Sequence, residues 1–220
     1  MHRAWYDLAI VGSGYLLVFF GAGLAGIPRA GSLAVLTAVL LATWRLASGS
    51  ESWRGIGLRK PDSWSRTAIE VLVLYALVVA GILCIVEPVA NALDWQRLEA
   101  VSFAHLRGDL LQLSVMLGIA WTSAAVGEEL LFRGFMLGRI EMLAGQGRIA
   151  TLLAVIAQAA IFGVAHSYLG ARGIANATLV GLVYGSWYVL RGRLLWPLIL
   201  AHGVTDTISL VAIYAGVMPE

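Results

Sequence analysis

Glu128 and Glu129 stand side by side, with Arg133 four residues on, inside the apolar stretch IAWTSAAVGEELLFRGFMLG. Further along, His166 lies in AIFGVAHSYL, and His202 and Asp206 lie in PLILAHGVTDT. These side chains share one chemistry: carboxylates and imidazoles accept and deliver protons, stabilise developing charge, or ligate a metal. An ionised side chain at the centre of a bilayer costs several kcal/mol, roughly 2.5–3.5 on insertion scales. Such groups persist where they pair, line a wet cavity or react. Glu129 and Arg133 share a helix face at i,i+4 spacing and can form a charge-assisted pair. Glu128 is turned by about 100° on a 3.6-residue helix and has no comparable partner in the sequence. It is free to bind a metal or accept a proton. The bland alternatives are that the cluster lies in water at a helix end, and that His202 and Asp206 merely satisfy each other. Against both stands the convergence of polar groups from three separate apolar segments, which is how helical bundles build interior sites. His2 and His105 fall in polar stretches and read as surface residues.

The elements that must position these groups are membrane spans. The chain has 220 residues, of which 60% are hydrophobic and 13% charged, and a mean hydropathy of +0.83. Soluble domains carry roughly 25% charged residues, so this composition points to an all-α, polytopic transmembrane bundle. Apolar runs between polar breaks give seven candidate spans, at about 8–27, 32–48, 67–92, 111–140, 150–169, 174–191 and 194–217. The first run is longer than the ~7–15 residues of a signal-peptide core and reads as an uncleaved span. Arg45, near the end of the second span, is placed to snorkel to the interface. The fourth span is too long for one simple crossing and is expected to run on or tilt until Arg139 and Glu141 reach water. Arg3, Arg54, Arg59, Lys60, Arg66, Arg139, Arg148, Arg191 and Arg193 lie on one side, and Arg29, Arg97, Arg107 and Arg172 on the other. That excess favours a cytoplasmic N-terminus.

Residues 1–110 form the N-terminal helices and loops and 111–217 the core, within one integral membrane unit. Residues 49–66 are a polar connection. Residues 94–110 mix Trp95, Leu98, Val101, Phe103 and Leu106 with charges and read equally as a short interfacial helix or an anchored loop. Gly134-xxx-Gly138 and Gly181-xxx-Gly185 offer smooth faces for close helix packing. Cys84 is the only cysteine, which excludes an internal disulfide and a cysteine metal cluster. No basic run with interleaved aromatics points to nucleic acid.

The ordered motifs resemble a known family. Glu128-Glu129-Leu130-Leu131-Phe132-Arg133, then Phe162-Gly163-Val164-Ala165-His166, then His202-Gly203-Val204-Thr205-Asp206 are similar to those of the type II CAAX prenyl endopeptidase and bacteriocin-processing (CPBP, formerly Abi) intramembrane proteases. The resemblance covers about residues 111–210. It implies an endopeptidase in which Glu128 and His166 activate water, His202 and Asp206 stabilise an oxyanion or complete a metal site, and Glu129 with Arg133 holds the helix. The family places Asn or Asp at the position of Asp206; Asp adds a negative charge, favouring a metal ligand or a protonated His202 over a plain amide donor.

Two mechanisms follow. Zn²⁺ held by Glu128, His166, His202 and Asp206 would bring a bound water to a pKa of about 7. Without metal, Glu128 would be a general base and the histidines would stabilise the oxyanion. With no His-Glu-x-x-His motif, zinc would need ligands gathered from separate helices. The expected partners are the lipid bilayer, with the plasma membrane as location, and a membrane-associated or lipidated peptide or protein substrate. A proton- or cation-coupled transporter and a non-catalytic scaffold or immunity-type protein are the competing classes.

Overall fold

A computed structural model of the chain describes residues 2–96, 102–145 and 147–217. Among these residues the structure is all helical, 81% helix with no strand. Seven helices are long and apolar enough to cross a membrane: α1 (His2–Leu24), α2 (Ala30–Ala47), α3 (Trp64–Ala92), α4 (Leu110–Ala144), α5 (Arg148–Ala165), α6 (Gly170–Leu190, entered through the 3-10 turn Ser167–Leu169) and α7 (Trp196–Tyr214). The expected spans are therefore met, with ends displaced by a few residues. Large apolar side chains such as Leu17, Leu24, Leu40, Leu72, Ile149 and Leu190 face outward. In water they would be a defect; around a bilayer-spanning bundle they are the lipid-facing coat. Burial inside the protein rises from 17% of the span in α1 to 44% in α7, so α7 is the centre of the bundle and α1 its edge.

Small residues bring the central helices together. At Gly181 of α6 a Cβ would lie 2.7 Å from the Cα of Ala159 on α5, so the two backbones meet directly. At Gly185 a Cβ would meet Gln158 at 2.6 Å. Gln158 is fully buried and its Nε2 donates to the carbonyl of Gly181 at 2.8 Å, stitching the same seam. The other glycine pair behaves differently. At Gly134 a Cβ would be tight against Leu195, at 3.3 Å, and in ordinary contact with Trp53 and Ile56, whereas Gly138 has nothing within 4 Å. The packing expectation holds for α6 and fails for Gly138.

The ends of the bundle correct two expectations. Arg45 does not snorkel outward: its Nε donates to Asp7 of α1 at 2.7 Å. Arg139 does not reach water either. It is buried and pairs with Asp7 at 2.8 Å and with Glu51 at 2.9 Å, while Arg3 stands 3.7 Å from both carboxylates. Fully buried Asp7 is thus the anchor that ties α1, α2 and α4 together. Glu141 reaches Arg193 at 2.7 Å rather than bulk water. The polar connection after α2 is also well ordered. The carbonyl of Gly57 accepts from the N–H of Leu195 at 3.0 Å, and that of Ile56 from the Tyr188 hydroxyl at 2.7 Å. Gly57 has φ 113°, and a Cβ there would meet the Arg193 carbonyl at 2.4 Å, so glycine is required on both counts. In the 94–110 connection, Ala104–Leu106 form a 3-10 turn and Leu106 is buried with Leu210 and Ile213 of α7; Arg97, Leu98 and Val101 lie outside the described residues.

The two glycine environments predict opposite responses. Gly181→Ala forces a methyl against backbone and should destabilise the protein by about 1–3 kcal/mol. Gly138→Ala should be neutral or stabilising by up to about 1 kcal/mol through helix propensity. Thermal unfolding in detergent reads both, and equal shifts would contradict the α5–α6 seam.

Candidate active site

α4 is not a uniform α-helix. It is α-helical over Leu110–Ile119, winds with i→i+5 hydrogen bonds over Ala120–Met136, and returns to α-helix over Leu137–Ala144. Such π-winding is rare, commonly a single turn, and concentrated at functional sites. Here it carries Glu128, Glu129 and Arg133. Gly127 precedes the glutamates, and a Cβ there would stand 2.7 Å from Val35 of α2, so α2 presses against α4 beside the glutamates.

The i,i+4 pair is present: Arg133 Nη1 donates to Glu129 Oε1 at 2.8 Å, with both side chains fully buried. The reading of this cluster as a solvated helix end therefore fails. The same oxygen does something the sequence did not reveal. Nδ1 of His202, on α7, lies 2.8 Å from Glu129 Oε1. An ionised carboxylate only accepts, so Nδ1 carries the proton and Nε2 is turned the other way. Nε2 faces Asp206 Oδ2 at 3.6 Å and Glu128 Oε2 at 4.0 Å. Glu129 is thus an orienting group for His202 as well as the partner of Arg133.

Arg133 sits between aromatic faces, 4.3 Å from the centroid of Phe162 and 5.5 Å from that of Tyr184. These rings meet a guanidinium whose Nε and Nη2 have no hydrogen-bond partner, a cation–π arrangement that suits arginine better than lysine. Phe162 has a second task. Its carbonyl accepts from His166 Nδ1 at 2.8 Å, and its ring lies 4.6 Å from the imidazole. His166 itself does not lie within a helix, as the apolar run implied. It is the residue that ends α5, with φ −96° and ψ 14°. With Nδ1 donating to a carbonyl, Nε2 is the basic nitrogen. His166 is close enough to His202 and Asp206 to interact with them electrostatically.

All the sequence-nominated residues therefore gather around one point: Glu128, Glu129 and Arg133 from α4, His166 from the end of α5, His202 and Asp206 from α7. Glu128 Oε2 is buried without a hydrogen-bond partner, while Asp206 is 30% exposed, so the cluster opens on the Asp206 side. Trp121 was not anticipated. A Cβ on Gly203 would come within 2.5 Å of its ring, and its indole N–H donates to Thr207 at 3.1 Å. The glycine after His202 in the third motif was the available signal that something large packs there. For zinc, the available donors are Nε2 of His202 and of His166, whose Nδ1 atoms are held by Glu129 and by the Phe162 carbonyl, with the carboxylates of Glu128 and Asp206; as the side chains stand, no group of three or more His, Cys, Asp or Glu among the described residues is arranged to hold a metal ion.

Comparison with known proteins finds one match, to the family model described as "Type II CAAX prenyl endopeptidase Rce1-like", over residues 110–208. No curated protein and no solved structure matches the chain. The matched segment runs from the first residue of α4 to Ile208 of α7, and takes in every residue of the cluster and the glycine-lined face of α6. Residues 110–208 of this integral membrane protein are thus similar to the Rce1-like type II CAAX prenyl endopeptidases, and it is this segment that carries the whole cluster.

Proposed function

We propose that the protein is an intramembrane endopeptidase that hydrolyses a peptide bond of a membrane-associated or lipidated substrate with a water activated by its own side chains. The observation that carries this reading is the unequal treatment of the two glutamates. Glu129 is consumed by Arg133 and His202, whereas Glu128 keeps a buried oxygen with no hydrogen-bond partner, facing His202 and Asp206. A carboxylate held in a low-dielectric cluster with a free oxygen is a general base in waiting.

In this scheme Glu128 takes a proton from water, and His166 helps hold that water through Nε2. Attack on the scissile carbonyl places negative charge on its oxygen. His202, held as an imidazolium beside Asp206 and with Nδ1–H fixed on Glu129, presents Nε2–H to that oxygen. Preorganised donors of this kind are worth roughly 10²–10³ in rate. Glu128, as acid, then returns its proton to the leaving amine. The charge bias of the loops supports a cytoplasmic N-terminus, and the plasma membrane is the natural location for such a protein. A transporter would use the same carboxylate and histidines as a proton relay, but neither it nor an inert scaffold has an observation of its own in its favour.

Two tests follow. In vesicles carrying a membrane-anchored peptide substrate, Glu128→Gln should lower kcat by about 10²–10⁴ and His202→Ala by about 10²–10³, each with the protein still folded. Arg133→Ala should instead destabilise the fold by about 3–5 kcal/mol, since it removes the charged partner of a buried Glu129 and leaves that carboxylate on His202 alone. Cleavage by Glu128→Gln at the wild-type rate would sink the assignment. Chelation should leave activity in place; loss on chelation with recovery on adding Zn²⁺ would show that the free protein's donor arrangement closes around a metal.

A further inference from the structure

A second polar feature lies at the end of the bundle that carries the N-terminus of α1. A cavity of about 280 Å³ opens between the start of α3 and the last turn of α6, lined by Asp62, Ser63, Arg66, Glu70, Leu190 and Arg191 among others. No residue of the catalytic cluster lines it. Its charges are unevenly spent. Buried Glu70 accepts from Arg191 Nη2 at 2.8 Å and from the indole N–H of Trp187 at 3.4 Å. Arg66 shares the Glu70 face at i,i+4 spacing, but finds that carboxylate occupied. Asp62 and Arg66 are exposed, and neither has an ion-pair partner among the described residues. Beside a satisfied pair, the cavity thus presents an uncommitted cation and an uncommitted anion.

Its surroundings are those of a bilayer surface. Half-exposed Trp64 opens α3 and meets Trp196, which opens α7, edge-on with ring centroids 5.7 Å apart. Exposed tryptophans at span ends mark the headgroup level of a membrane. Leu190, 78% exposed, forms one lip of the cavity. On α3, Ile69, Val73 and Leu77 follow Arg66 at i+3, i+7 and i+11, and all three are exposed. The charged cavity therefore continues into an apolar stripe that runs down the hydrocarbon.

We propose that this cavity is a binding site for a phospholipid with an amine-bearing headgroup, phosphatidylethanolamine being the simplest. The Arg66 guanidinium donates to the phosphate, whose oxygens its planar fork matches, and the ammonium sits on Asp62. The acyl chains lie along Leu190 and the Ile69–Leu77 stripe. Cavities that enclose a whole drug-sized ligand start at roughly 300 Å³, so this one takes the headgroup and leaves the chains in the bilayer. A phosphate headgroup without a cation leaves Asp62 unmatched, and the quaternary nitrogen of choline has no N–H to give it. A lipid seated here adds a second bridge between α3 and α6 to that made by Glu70 and Arg191.

Native mass spectrometry of the purified protein, given phosphatidylethanolamine, phosphatidylglycerol or phosphatidylcholine in turn, reads the preference. The wild type is expected to retain phosphatidylethanolamine and to bind the other two about two- to fivefold more weakly, the worth of one exposed ion pair. Arg66→Gln should weaken phosphatidylethanolamine and phosphatidylglycerol alike by about fivefold, the worth of one basic side chain at a lipid headgroup. Asp62→Asn should keep phosphatidylglycerol and lose the preference for the amine. Both side chains are exposed, so without lipid both variants should melt with the wild type. Added phosphatidylethanolamine should raise the melting temperature of the wild type and not that of Arg66→Gln. Undiminished binding of phosphatidylethanolamine by Arg66→Gln overturns the proposal, as does a wild type that binds the three lipids equally or favours phosphatidylglycerol. Equal binding of water-soluble phosphoethanolamine also overturns it, by making the cavity a site for a free phosphate compound. None of these readouts involves cleavage, so they stand apart from the protease reading.

Discussion

One oxygen atom organises this protein. Oε1 of Glu129 accepts from Arg133 on its own helix and from His202 on α7, both at 2.8 Å. In hydrocarbon or a dry core such an arrangement is expensive, because desolvating two or three charges costs several kcal/mol per ion. The attraction offsets this only if geometry is good and remaining polar atoms are looked after. The faces of Phe162 and Tyr184 do that for Arg133. Once formed, the hub is hard to disturb. It fixes the ring orientation of His202, the rotation of α4 against α7, and the position of Phe162, whose carbonyl in turn orients His166.

The hub needs helices that approach closely and do not slide. Gly181 and Gly185 put α6 against α5 at backbone contact, with Gln158 locking the register by hydrogen bond. Gly203 admits Trp121 between α4 and α7. At one end of the bundle Asp7 binds Arg45 and Arg139, which ties the N-terminal hairpin to the far end of α4. Each device is polar or small where a membrane protein gains little from hydrophobic burial alone. The reacting groups are consequently built on helices, with His166 the one placed on a helix end.

Much of this was legible from short-range pattern. Apolar runs located seven spans, and i,i+4 spacing paired Glu129 with Arg133, because both rules depend only on neighbours along one helix. The glutamate–histidine contact was not legible in kind: nothing local says which of two adjacent carboxylates His202 will meet, since that depends on helix rotation. The π-winding of α4 has no simple sequence mark. His166 looked mid-span because Tyr168 and Leu169 continue the apolar run, although Gly170, at φ 71°, is where the chain turns. Asp7 and Arg139 are separated by 132 positions, so the burial of Arg139 followed from a tertiary partner that helix length could not reveal.

Asp206 shows how charge unites the site. Three carboxylates, Glu128, Glu129 and Asp206, surround His202, and only Glu129 among them is paired with the guanidinium of Arg133. In a low-dielectric surrounding that excess of negative charge favours an added positive charge at His202, where an imidazolium donates Nδ1–H to Glu129 and Nε2–H toward Asp206 and Glu128. A neutral amide at position 206 would weaken that demand, so the aspartate makes His202 a better donor to an oxyanion. It also draws the Nε2 proton partly away from Glu128, leaving that carboxylate free to act as base. The residue that adds a charge therefore separates the roles of its neighbours: one imidazole to hold negative charge, one carboxylate to generate it.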